Sequence, residues 1–274
     1  MRRLLSCLLT AALLVSVSGC ASKYGTQQTV VNYYPACYDP IKKLRDSEQA
    51  VNRQTAGGAA VGALGGALLG LLVTGKAEGA VVGAVAGGAT GAVAGNMIAK
   101  KQQIADDNRR MASYLQDLEG DISGLDIVST SARTSLQCYN KQFRMLVKDI
   151  KSKRVTRQQA ERMFAEIQSG TQEAVNLLGT AETNGRDMER QYREALTQEE
   201  QKISVASTPA PAAKHPRTRK TGKDSASSSL RQAQNRTGDL HKRVESIAEE
   251  KTAAERQAEA QSHELAEALA SSQV

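Results

Sequence analysis

Four cysteines and three histidines are the side chains of this 274-residue sequence best suited to redox or metal chemistry, and their spacing narrows what that chemistry is. His215, His241 and His263 lie far apart with no cysteine beside them, so they form no metal-ligand pattern. Cys7 falls inside an apolar leader and Cys20 just after it. Cys37 and Cys138 remain, each followed by a tyrosine, as Cys37-Tyr38 and Cys138-Tyr139. In an oxidising compartment such a pair is suited to a disulfide. Two alternatives stand at this level, a bridge within the chain and cross-links between neighbouring copies. Asp and Glu are plentiful, but on helices they read as solvated faces. No GxSxG, phosphate loop or dinucleotide fingerprint is present; the GALGGA run that starts at Gly62 has no strand before it and no acidic residue after it. The chain is therefore not expected to be an enzyme, and no cofactor, metal or small-molecule substrate is expected.

The segment between Cys37 and Cys138 must position them, and a ladder of glycines dominates it. Gly58, Gly62, Gly66 and Gly70 form a first run, and Gly75, Gly79, Gly83, Gly87, Gly91 and Gly95 a second, with Ala, Val and Leu between. Each glycine inside a helix in water costs about 1 kcal/mol relative to alanine, so thirteen of them from Gly57 to Gly95 suit a soluble helix badly. In lipid, small residues four apart open a groove that a second helix backbone can enter, with the right-handed crossing of GxxxG pairs. The uncharged runs 54–75 and 79–99 hold 22 and 21 residues, against the roughly 20 needed to span a bilayer. Lys76 and Glu78 separate them as the polar tip of a helical hairpin. The competing reading is a Gly/Ala linker or an aggregating low-complexity segment, but linkers seldom keep a fourfold period with this much Leu and Val.

At the amino terminus, Arg2 and Arg3 precede an apolar stretch from Leu4 to Val17 that is too short to span, followed by small residues, as in a secretory signal. The run Val17-Ser18-Gly19-Cys20 resembles the lipobox of bacterial lipoproteins. That resemblance implies cleavage before Cys20 and acylation of its sulfur and amino group. An ordinary signal peptide containing a cysteine is the alternative. Ala21 follows Cys20, where an aspartate would imply retention in the inner membrane, so the outer membrane is expected. Removing residues 1–19 takes Arg2 and Arg3 with them and lowers the formal charge from +7 to +5. So mild and dispersed an excess, with no Trp and only two Phe, argues against nucleic acid as a partner. A Cys37–Cys138 bridge would close a loop around the whole hairpin. If the helix after the hairpin ran unbroken, Cys37 would face the region of Tyr114, so a bend around Gly120 and Gly124 is expected.

The organisation expected is all-α. Residues 1–19 are a signal peptide and 20–39 an anchor and polar tether. Asp39 caps a helix with Pro40 at its first position, and this helix leads into the glycine hairpin over 40–99. Residues 100–202 form a soluble helical hairpin. Its seam runs through Met111, Leu115, Leu118, Ile122, Leu125, Ala132, Leu136, Tyr139, Phe143, Leu146 and Ile150. A break at 151–155 and a capping box, Thr156 to Gln159, start its second helix, whose apolar side runs from Met163 to Leu196. Residues 203–229 read as a disordered basic linker. Its bases from Lys214 to Lys223 have two readings, a contact for anionic lipid, lipopolysaccharide or peptidoglycan and a spacer kept extended by like charge. Residues 230–274 carry a narrow stripe, Leu240, Val244, Ile247, Ala254, Ala258, Leu265 and Leu269. It buries little alone and needs another copy or an envelope protein, or else stays partly ordered.

The lipobox and glycine ladder together resemble bacterial glycine-zipper lipoproteins, the group of the rickettsial surface antigen and SlyB. The resemblance covers Val17 to Cys20 and Ala56 to Ala99, and implies an outer-membrane lipoprotein with a two-helix hairpin that supports envelope integrity. The long helical part after Lys100 departs from that pattern. A structural, self-associating lipoprotein with its helices in the periplasm is the reading this supports. The alternative is a pore or an accessory of secretion or export, built from oligomerised hairpins with Lys76 and Glu78 at the passage. A third reading is a binding module that uses the bases near Lys214.

Overall fold

The computed structural model describes Tyr24 and residues 27–55, 107–205 and 217–271. The signal peptide, Cys20, the glycine ladder and the tip at Lys76 and Glu78 lie outside the described residues. The described part is all-α, with four helices in chain order: α1 Pro35–Thr55, α2 Asp107–Lys151, α3 Arg157–Val205 and α4 Arg217–Ser271. Among these residues no helix is long and apolar enough to cross a membrane.

The three long helices form an up-down-up bundle. The pairs Phe143–Phe164 and Arg110–Glu199 set α2 and α3 antiparallel. Arg236–Glu119, Arg243–Asp126 and Gln261–Asn140 set α4 parallel to α2. At 1.5 Å per residue, the 45 residues of α2 span about 67 Å. The core follows the period expected: Met111, Leu118, Leu125, Ala132, Tyr139, Phe143, Leu146 and Ile150 of α2 are buried. Ile127 and Val128 fill the longer step between Leu125 and Ala132. The turn falls at the predicted break. Thr156 and Gln159 form the capping box, with the Gln159 amide donating to Thr156 Oγ1 at 3.2 Å and the Thr156 amide to Gln159 Oε1 at 3.0 Å.

Four expectations are corrected. First, α2 is continuous through Gly120 and Gly124, and an unbroken helix still brings Cys138 to Cys37. The apolar packing of Ile41 and Leu44 sets the register, not the length of the intervening segment. Second, α1 starts at Pro35 rather than Pro40. Proline supplies the fixed φ of a first helical position, while Pro40 sits inside the helix. Third, helix covers most of 203–229, with α3 reaching Val205 and α4 beginning at Arg217, which leaves only 206–216 between them. Fourth, the stripe on α4 has a partner in its own chain: Leu240, Val244 and Ile247 are fully buried in the core shared with α2 and α3.

Candidate functional site

The face where α1 meets α2 and α3 concentrates the chemistry of the described residues. Cys37 and Cys138 are joined in a disulfide with their Cα atoms 5.1 Å apart and a sequence separation of 101. Beside it, Ser135 Oγ donates to the Cys37 carbonyl at 2.5 Å. From there Asp39 to Ser47 of α1 line one groove with Ser123 to Thr134 of α2, all of which precede Cys138, the partner of Cys37. This order makes α1 antiparallel to α2. The last residues of α1 and the first of α2 therefore point to the same end of the bundle. They are the two ends of the stretch 56–106 that carries every glycine of the ladder.

Each tyrosine that follows a cysteine is buried against α3. Tyr139 is fully buried against Gly170, where an added Cβ would overlap its ring. Tyr38 donates to Glu173 Oε1 at 2.9 Å. Glu173 is 2% exposed and is the centre of the site. It pairs with the buried Arg45 of α1. Its other oxygen accepts from the Thr29 amide at 2.9 Å, the Thr29 hydroxyl at 2.6 Å and the Gln28 amide at 3.2 Å. One heptad earlier on the same face of α3, Glu166 accepts from three successive backbone amides. These are Asn32 at 2.8 Å, Tyr33 at 2.7 Å and Tyr34 at 2.8 Å. Charge-assisted bonds of this kind are about twice as strong as neutral ones. Two carboxylates thus hold the chain before α1 by its own backbone, and Arg45 adds a bond to the Tyr24 carbonyl at 3.2 Å.

Burial alone would raise the pKa of Glu173. The hydrogen bonds from Thr29 and Arg45, the Arg45 charge and the Tyr38 bond outweigh it, and the carboxyl is held below its ordinary value. Tyr38 shifts upward, through burial and then its bond to Glu173, so the phenol stays a donor. A second buried pair, Arg110 with Glu199 at 2.7 Å, lies near the start of α2. Burial opposes ionisation of Glu199 as well, but bonds from Arg110 and Lys202 hold its pKa low.

Sequence reasoning brought Cys37 and Cys138 into view but missed this clamp. Residues 27–34 were expected to be part of a free tether over 20–39, and Glu166 and Glu173 to be solvated. The signal available was their spacing of seven beside the apolar Ile167 and Ala174, which places both carboxylates at the edge of the buried face. Of the histidines, His241 meets Glu189 at 3.0 Å, His263 is exposed and His215 lies outside the described residues. Among the described residues no group of three or more His, Cys, Asp or Glu is placed to hold a metal ion. The arrangement fastens segments together; it places no nucleophile beside a base in an open cleft.

Residues 1–99 match the family model of YMGG-like Gly-zippers. The match supports a glycine-zipper family and, with it, a membrane-associated structural role for this part of the chain. No curated protein and no solved structure matches the chain.

Proposed function

We propose that the protein is a structural lipoprotein of the bacterial outer membrane, anchored by acylated Cys20 and self-associating through its GxxxG helices, with the bundle in the periplasm. The observation that carries this is the antiparallel seat of α1 on α2. It sends both ends of residues 56–106 out of one end of a stapled bundle, as a membrane hairpin requires.

Reach supports the same reading. Arg45 is bonded to Tyr24, and the ten helical steps from Arg45 to Thr55 rise about 15 Å. Four Cα–Cα steps lead from Tyr24 back to Cys20, and fully extended they span at most about 14 Å. The acyl anchor and the start of the glycine segment can therefore lie in one plane. One acyl chain holds a protein only marginally, whereas several chains with a hairpin hold it firmly.

The test uses full-length protein. Gly83→Leu with Gly87→Leu fills the groove and is expected to weaken self-association in cross-linking while flotation with membranes persists. Unchanged assembly in that variant would sink the packing role. A chain that neither floats with membranes nor labels with fatty acid would sink the anchoring.

A further inference from the structure

The α2–α3 turn lies at the end of the bundle away from the glycine segment, and it is strongly basic. Residues 141–162 hold Lys141, Arg144, Lys148, Lys151, Lys153, Arg154, Arg157 and Arg162 against two acids, Asp149 and Glu161. All eight bases are exposed. The two acids pair within the tip, with Arg154 at 3.1 Å and Arg157 at 2.9 Å. Glu264 and Glu267 of α4 flank the tip and are exposed, and among the described residues no ion pair joins them to these bases.

Helix chemistry accounts for part of this charge and not the rest. Lys148 and Lys151 suit the negative end of α2. Lys153 does not follow from it. The Arg154 amide bonds to the Asp149 carbonyl and the Lys153 amide to that of Ile150, a Schellman motif. Lys153 therefore occupies the left-handed position with φ 54°, which glycine fills without strain. Arg157 opens α3 at its positive end, and no acid lies in the first turn. Two bases thus stand where the fold would prefer a glycine and an acid.

We infer that this tip is a contact surface for the cell wall, binding the carboxylates of its peptide stems. The inference rests on the proposed function, which puts the opposite end, about 67 Å away, at the membrane. The bilayer holding the glycine segment is then out of reach of the tip. Among residues 141–162 the one exposed large apolar side chain is Met145, isolated amid eight bases, so the tip lacks the apolar cluster that anchors a protein interface. Repeated carboxylates on a mesh fit an array of lysine and arginine heads.

The experiment is co-sedimentation of the full-length protein, in detergent, with purified cell-wall sacculi. At about 50 mM salt the wild type is expected to sediment, and at about 0.5 M salt to be released. Lys148→Gln, Lys151→Gln and Lys153→Gln together are expected to lower the bound fraction roughly tenfold, the equivalent of about 1.4 kcal/mol. Lys220→Gln and Lys223→Gln, near the start of α4 at the other end, are expected to leave it unchanged. Lys153→Gly alone is expected to raise the thermal midpoint while weakening binding, which separates loss of contact from loss of fold. Equal sedimentation of the tip variant overturns the inference, as does a wild type that stays in solution or binds anionic vesicles through the tip but not sacculi. Flotation of the same protein after reconstitution into liposomes keeps the two ideas apart: wall binding that fails in a chain that still floats removes the tip alone.

Discussion

Glu173 is the residue on which the amino-terminal attachment turns, because one carboxylate meets five donors, three from Gln28 and Thr29 and two from Tyr38 and Arg45 of α1. Replacing it by alanine removes the carboxylate that the buried Arg45 pairs with, and breaking a buried pair costs about 3–5 kcal/mol. Chemical denaturation is expected to show that loss, and limited proteolysis to show faster cutting within 27–34. The pH dependence has a definite sign. Glu173 and Glu199 have folded-state pKa values below the ordinary 4.5, so their stabilisation is complete above that value and disappears as pH falls through the lower folded values. Denaturation midpoints are expected to be flat near neutrality and to drop below pH 4.5; a midpoint no lower at pH 3 than at pH 7 would contradict the clamp. Gly170 is a second single-atom test. Gly170→Ala drives a methyl into the fully buried Tyr139 ring, and overpacking of this kind costs about 1–3 kcal/mol. A thermal midpoint equal to wild type would mean that the ring has room to move.

At the scale of elements, α4 decides whether α2 and α3 have a closed core. Val244 lies over Gly185 of α3 so closely that an added Cβ would overlap it, and Leu125 of α2 borders the same spot. Ile247, fully buried, adds to this layer. Ile247→Ala is expected to cost about 2–4 kcal/mol, read as a lower denaturation midpoint. A cost near zero would put α4 on the outside of the bundle. Its stripe was readable as amphipathic from the positions of Leu240, Val244, Ile247 and Ala254, but the spacing is silent on which helix would cover it. That choice depends on α2 and α3 leaving a complementary groove, a property of two other segments and the angle between them.

For the whole molecule, the Cys37–Cys138 bridge ties α1 to the bundle across a segment of about a hundred residues. A loop of that size is worth roughly 5 kcal/mol in the chain-entropy model. Reductant is expected to lower the thermal midpoint by several degrees and to expose α1 to protease. Without reductant, the protein is expected to run as a fast-migrating monomer, since the bond lies within one chain. A disulfide-linked dimer as the main species would contradict this geometry.

The sequence by itself determined the helical class, the seam of α2, the turn after Lys151 with its Thr156–Gln159 cap, and the glycine ladder. These are local properties: a period of 3.6, a capping residue and a small side chain act within a few positions along one chain. The tertiary structure alone decided that α1 lies antiparallel on an unbroken α2, that α4 packs on its own chain, and that Glu166 and Glu173 grip the backbone of residues 28–34. Those outcomes depend on which surfaces meet. A carboxylate beside an apolar stripe is solvated or buried according to what another segment, more than a hundred residues away, brings to it.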